Sequence, residues 1–260
     1  MDATLAYSIL IAIGDHSLDR KLVIFTGAGI SADSGIATFR DADGLWEKHS
    51  IERVCNYLTW KSHREEVHRF YNARRMQLAE AMPNEAHRMV ARLQALFRNT
   101  SIITQNIDNL HERGGATDVL HVHGNLTEMK CEACSHVWDI GYSEWGLDDH
   151  CPNIRGGVQC GCKKGVKPNV VMFHEAAPNY SPMWKTLSSL TDRDFLLVIG
   201  TSGSVIRIGE IALQSRATTI LSNLESADTI RDDQFDYVIH GRATETAEKL
   251  EQFFNHITSI

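Results

Sequence analysis

Gln105, Asn106 and Asp108 put two carboxamides and a carboxylate into one stretch, Gln105-Asn106-Ile107-Asp108, directly behind the apolar run Ser101 to Ile103. Polar groups at the C-terminal end of a strand are where open α/β sheets hold their ligands. Downstream, His123 precedes Gly124. An imidazole titrates nearest neutrality, which makes His123 a candidate base, and the glycine allows a close backbone approach. Upstream, Gly27, Gly29 and Ala32 follow another apolar run and fit a dinucleotide phosphate fingerprint, in which glycines admit the pyrophosphate and a small third residue lets helix pack on strand. The acid that usually follows about 20 residues later at a strand end is not found; Asp41-Ala42-Asp43-Gly44-Leu45-Trp46 reads as a loop. Asn223 and Glu225, behind the late run Thr218 to Leu221, are better placed to hold a ribose.

Five of the six cysteines, Cys131, Cys134, Cys151, Cys160 and Cys162, fall in one segment. Clustered cysteines in a chain expected to be cytoplasmic point to metal rather than disulfides. Cys131-x-x-Cys134 is a zinc half-site, one turn presenting two thiolates to one tetrahedral ion. The second half is left open by spacing alone, among Cys151, Cys160 and Cys162.

The elements that must carry these residues read clearly. Leu22 to Thr26, Ser101 to Thr104, Phe195 to Ile199, Thr218 to Leu221 and Tyr237 to Ile239 are β-branched and apolar runs, suited to strands covered on both faces of a parallel sheet. Helical patterns cover Arg64 to Ala81, Glu85 to Arg98 with Asn84 as N-cap, and Ala243 to Phe254. The alternation predicts an α/β fold, a Rossmann-like doubly wound parallel sheet. Lys130 to Val166 has no long apolar period, so a small zinc-binding insert must take its core from a metal.

Composition bounds the rest. With 260 residues, the chain accommodates one large domain with a small insert. Its 43% hydrophobic and 23% charged content is that of a globular enzyme. A net charge of −7 gives no field to attract nucleic acid. The run Ile9 to Ile13 is too short to span a bilayer, and Asp2 without a neighbouring Lys or Arg does not fit a secretory leader, so no membrane partner and a cytoplasmic location are expected.

Together with Phe39-Arg40, Gly200-Thr201-Ser202 and Asn223-Leu224-Glu225, these motifs resemble, in order and separation, the sirtuins, the NAD-dependent protein-lysine deacylases. The resemblance runs from about Val23 to Ala243. It implies NAD as consumed co-substrate and acylated-lysine proteins as partners. It places NAD against Gly27, Ala28, Gly29, Ser31, Phe39, Arg40, Trp46, Gln105, Asn106, Ile107, Asp108, Gly200, Thr201, Ser202, Asn223, Leu224, Glu225 and Ala243. His123 would be general base on the ribose hydroxyls, with Asn106 and Asp108 positioning ribose and water; the products would be free lysine, nicotinamide and 2′-O-acyl-ADP-ribose. Counting back from Lys164-Gly165-Val166-Lys167-Pro168 selects Cys160 as fourth ligand of one structural zinc, with Cys162 the alternative.

Tyr71 and Arg74 share a helix face. They resemble the Tyr-x-x-Arg signature of the branch that removes succinyl and malonyl groups, as do Thr38 and Trp46. Val171 and Phe173, in Pro168 to Glu175, resemble the segment that pairs with substrate peptide. Departures are His174 for a glycine, Ala37 for a proline, and Val205-Ile206-Arg207 for a proline-containing form. The resemblance makes 1–260 a single catalytic unit, with 20–50, 99–126 and 190–260 as the NAD-binding part, 51–98 as a helical insert lining the acyl pocket and 127–168 as the zinc module. Two competing readings are an NAD glycohydrolase or ADP-ribosyltransferase on this fold, and a non-catalytic nucleotide-sensing module. Tyr71, Arg74 and the peptide segment argue against the first, and a base that a sensor would not need argues against the second.

Overall fold

The computed structural model describes residues 20–36 and 51–258. In chain order its elements are β1 (Lys21–Thr26), α1 (Ile51–Val54), α2 (Arg64–Glu80), α3 (Glu85–Leu96), β2 (Asn99–Thr104), α4 (Leu110–Arg113), β3 (Leu120–His121), β4 (Gly124–Cys131), β5 (Val137–Asp139), β6 (Ile154–Arg155), β7 (Val158–Gln159), β8 (Val166–Val170), α5 (Tyr180–Ser188), β9 (Phe195–Ile199), α6 (Ile208–Gln214), β10 (Thr218–Asn223), β11 (Tyr237–His240) and α7 (Ala243–Thr258).

Six parallel strands form the main sheet in the order β11-β10-β9-β1-β2-β3. The chain runs outward from β1 to β3 and, after the insert, outward again from β9 to β11. This is the doubly wound order, and its topological switch lies between β1 and β9. Side chains alternate faces with period two. Leu22, Ile24, Phe195, Leu197 and Ile199 pack with α3 and α7, whereas Val23, Phe25, Leu196 and Val198 pack with α5 and α6. Both faces are therefore dry, which is why the strands read as unbroken apolar runs.

Helix α3 begins where expected, the Asn84 side chain accepting from the backbone N–H of Ala86 at 2.9 Å and of His87 at 3.4 Å. The two parts of 51–98 pack differently. Helices α1 and α2 contribute Val54, Val67, Phe70, Tyr71 and Leu78 to a separate core with Leu126, Val170 and Met172. Helix α3 joins the sheet's own core through Ala86, Met89, Val90 and Leu93. The remaining module is a three-stranded antiparallel sheet, β5-β4-β8, whose core is Met129, Trp145, Val166 and the cysteines. Among the described residues no helix is long and apolar enough to cross a membrane.

Candidate active site and metal centre

At the C-terminal edge of the main sheet, five loops meet. Backbone bonds knit them: Gly27 N–H donates to Ile199 O (3.0 Å), Gln105 N–H to Thr26 O (2.9 Å), Gly200 N–H to Ser222 O (2.9 Å) and Gly241 N–H to Asn223 O (3.0 Å). The turns after β1 and β9 touch so closely that a Cβ on Gly27 would lie 2.8 Å from Gly200 O, and one on Gly29 2.8 Å from Gly200 Cα. Apart from any approach to phosphate, the glycines are required for the two turns at the switch point to meet.

Side chains complete the edge. Gln105 Nε2 donates to Thr201 Oγ1 at 2.8 Å. The Asn223 amide brackets Thr201, accepting from its N–H at 3.0 Å and donating to its carbonyl at 2.8 Å. Beneath lies a buried network in which Ser31 Oγ donates to Asp108 Oδ2 (3.0 Å) and accepts from Asn106 Nδ2 (3.1 Å). Asp108 also accepts from Leu110 N–H at 3.1 Å. Burial pushes its carboxyl up, against the lowering effect of these donors. Ala28 lies in the 3₁₀ turn after β1, Ser202 and Leu224 continue the β9 and β10 loops, Leu224 65% exposed and Glu225 also exposed, and Ala243 begins α7. Ile107 holds the β2 loop to β4 through Leu126 N–H, 2.8 Å from its carbonyl. The structure thus gathers the described residues of the expected NAD set along one sheet edge. Phe39, Arg40 and Trp46, with Ala37 and Thr38, lie outside the described residues.

His123 sits between β3 and β4. Its Nδ1 is 2.9 Å from Gln105 O and its Nε2 3.0 Å from the Tyr180 hydroxyl. A carbonyl only accepts, so Nδ1 carries the proton and Nε2 presents its lone pair. Burial holds the ring's pKa below its ordinary value, the bond to Gln105 opposing. This is a neutral imidazole with one basic nitrogen, as a general base requires. Gly124 is forced by packing: its φ is +83°, and a Cβ would lie 1.9 Å from Asn169 O. His121, by contrast, is buried, its Nε2 2.8 Å from Glu112 Oε1. Burial lowers its pKa, but Glu112 more than offsets this and the net direction is upward.

On α2, Tyr71 is 1% and Arg74 8% exposed. The Tyr71 hydroxyl donates to Cys55 Sγ at 3.6 Å. Burial lowers the Arg74 pKa, while Tyr71 and Asp108 favour its charge. The 171–174 segment is already held on its N–H side: Val171 donates to His123 O (2.9 Å), Met172 to Glu175 Oε2 (3.0 Å) and Phe173 to Cys55 O (2.9 Å). The Phe173 side chain is 45% exposed. His174 has φ +66°, a left-handed backbone that accounts for a glycine at this position in the family. Glu175 pairs with the buried Lys167 ammonium at 3.0 Å and anchors the loop.

The zinc expectation can be tested on geometry. A tetrahedral ion with Zn–S of about 2.3 Å requires sulfurs about 3.8 Å apart. Cys131 and Cys160 Sγ are 3.8 Å apart and Cys134 and Cys151 Sγ 3.6 Å, and all four lie within 4.8 Å of one another. The donor set fits one zinc, with Cys160 as the fourth ligand. Cys162 lies outside the set, its carbonyl accepting from Cys151 N–H at 2.9 Å.

Tyr180, which reaches the candidate base, was not among the expected site residues. The preceding Pro178-Asn179 is a helix-start signal that could have located α5, though nothing in the sequence aims its first residue at His123.

A parallel sheet with a polar C-terminal edge, a basic imidazole nitrogen and an appended four-thiolate module defines a nucleotide-dependent α/β enzyme with a structural metal. The Sir2 family profile matches residues 27–207. The chain is 40% identical to an NAD-dependent protein deacylase of Helicobacter hepaticus, over 90% of this chain and 98% of the relative. It is 39% identical to one of Bdellovibrio bacteriovorus, over 92% and 99%. Among solved structures it is similar to a Sir2 homologue variant in complex with ADP-ribose, at TM-score 0.81 and 30% identity, covering 100% of this chain and 99% of the other. It is also similar to a Sir2 homologue bound to NAD, at TM-score 0.76 and 29% identity, covering 99% and 95%. The chain belongs to the Sir2 family, the sirtuins.

Proposed function

We infer that this chain is an NAD-dependent protein-lysine deacylase. NAD is its consumed co-substrate and acylated-lysine proteins are its partners. The observation that carries this reading is His123 itself, neutral, with Nδ1–H spent on Gln105 O and Nε2 lying beside the sheet edge where a nucleotide would bind. In this reading His123 takes a ribose hydroxyl proton at Nε2 once nicotinamide has left, so that the sugar oxygen can capture the acyl group. Gln105, Asn106, Asp108 and the 200–202 and 223–225 loops orient the ribose and phosphates, a contribution of positioning rather than proton transfer. A zinc held by Cys131, Cys134, Cys151 and Cys160 supplies a core to the β4-β5-β8 module; with four thiolates it has no open position.

Acyl choice follows from Tyr71 and Arg74. A buried guanidinium beside a phenol favours acyl groups ending in a carboxylate, succinyl and malonyl, in addition to acetyl. Val171 and Phe173 line the path of the substrate backbone. Six free cysteines, four of them gathered into a metal-type set, agree with a reducing cytoplasmic setting. Mass spectrometry of acetyl-lysine and succinyl-lysine peptides incubated with the protein tests the reading. NAD-dependent loss of acyl mass, with 2′-O-acyl-ADP-ribose formed, is expected. NAD consumption without acyl loss would point instead to a glycohydrolase.

A further inference from the structure

The site contains a contact that general-base chemistry does not call for. Nε2 of His123, the one ring nitrogen with a lone pair, is already 3.0 Å from the Tyr180 hydroxyl, and the two rings lie 5.9 Å apart at their centroids. Since Nδ1–H is donated to Gln105 O, Nε2 must accept, and the phenol is the donor. Tyr180 is held in place from two sides. Helix α5 packs Met183 and Leu187 into the sheet's core. Just before it, Asn179 does not cap the helix with its side chain but donates through Nδ2 to His121 O at 2.8 Å, tying the start of α5 to the end of β3, two residues before His123. The Tyr180 side chain is only partly buried, packed at the margin of the sheet's core.

We propose that Tyr180 is a positioning residue that caps His123 in the ligand-free enzyme and is displaced from Nε2 by the ribose hydroxyl when the nucleotide binds. One lone pair accepts one strong hydrogen bond, so Tyr180 and the ribose hydroxyl compete for the same place. While bound, the phenol stabilises the neutral base and fixes the tautomer that the reaction needs. Once displaced, it leaves Nε2 to the sugar. This inference rests on His123 being the base, as read above.

The other titratable groups on the elements around His123 leave its ring to Tyr180. His121 is paired with Glu112 at 2.8 Å. Asp108 is committed to Ser31 and Leu110, and Lys167 to Glu175. A donor on Nε2 opposes protonation, so removing it should make His123 easier to protonate.

The test is Tyr180→Phe, which keeps the packed ring and deletes the hydroxyl. The acid limb of kcat/KM for NAD, which reports the free enzyme, should move to higher pH by about 0.3 to 1 unit, the equivalent of one ordinary hydrogen bond. The acid limb of kcat, which reports the bound state, should stay where it is in the parent. Histidine NMR titration reads the same thing without turnover. The His123 signal of the variant should titrate higher than the parent's in ligand-free protein, and the two should coincide with ADP-ribose bound. Unmoved kcat/KM and NMR titrations in the ligand-free variant would overturn the cap, and a shift that persists with ADP-ribose bound would overturn the displacement. Because the NMR arm needs no catalysis, failure of the deacylase reading would be visible separately, as a parent enzyme without acyl turnover.

Discussion

The imidazoles of His87 and His111 meet edge to face, 5.2 Å between centroids, beneath the nucleotide edge, and both are fully buried. His87 Nδ1 accepts from Asn84 N–H at 3.2 Å, so its Nε2–H points to Ser31 Oγ at 3.3 Å. His111 Nε2 bonds Thr26 Oγ1 at 2.9 Å. His87 therefore helps to hold the turn that presents Ser31, and His111 the C-terminal end of β1.

Burial lowers the pKa of His87 to about 4 and that of His111 to about 3. In the unfolded chain both take a proton near about 6.5. Below that pH the unfolded state binds more protons, so stability must fall as the solution is acidified toward the folded values. From pH 7 to 5 each histidine should cost about 2 kcal/mol. Chemical denaturation across this range should show the loss, and His87→Gln should reduce its slope; a stability flat between pH 7 and 5 would contradict the assignment.

Much of this arrangement was legible in the sequence. Continuous apolar runs marked β1, β2, β9, β10 and β11 because both faces of each are covered, and a 3.6-residue period marked α2, α3 and α7 because each buries one stripe. Strand β3 escaped notice, since Leu120–His121 is too short to show any period. Helices α5 and α6 escaped because Tyr180–Ser188 and Ile208–Gln214 offer few turns over which a pattern can repeat. At the site, residue types and strand ends located Gln105, Asn106, Asp108 and Asn223, but contacts between distant segments, such as Tyr180 with His123 or Tyr71 with Cys55, leave no mark on local spacing. The count back from Lys164-Gly165-Val166 selects Cys160 over Cys162, and the gathered sulfurs agree.

The sulfur geometry predicts one zinc per chain. Cys160→Ser should lose the ion and lower the thermal midpoint by roughly 10 °C, since losing a structural ion costs several kcal/mol and each ~1 kcal/mol moves the midpoint ~2–4 °C. Cys162→Ser should keep both ion and midpoint. Elemental analysis with thermal melts checks this, and the reverse result would exchange the two cysteines.

Arg74→Met should lower kcat/KM for succinyl-lysine peptide by about tenfold or more, because a charge-assisted bond to the acyl carboxylate contributes about 1.5 to 3 kcal/mol. Acetyl-lysine turnover should change much less. Steady-state kinetics on paired peptides decides; equal losses on both would make Arg74 a support for α2 and the protein a plain deacetylase.

The central claim is that His123 is the base of an NAD-dependent deacylation. Its most direct test is kcat/KM of His123→Ala on acyl-lysine peptide, measured beside calorimetric NAD binding. The account predicts a loss of about 100- to 10,000-fold with NAD still bound and the fold intact, and undiminished product formation by the purified variant would contradict it.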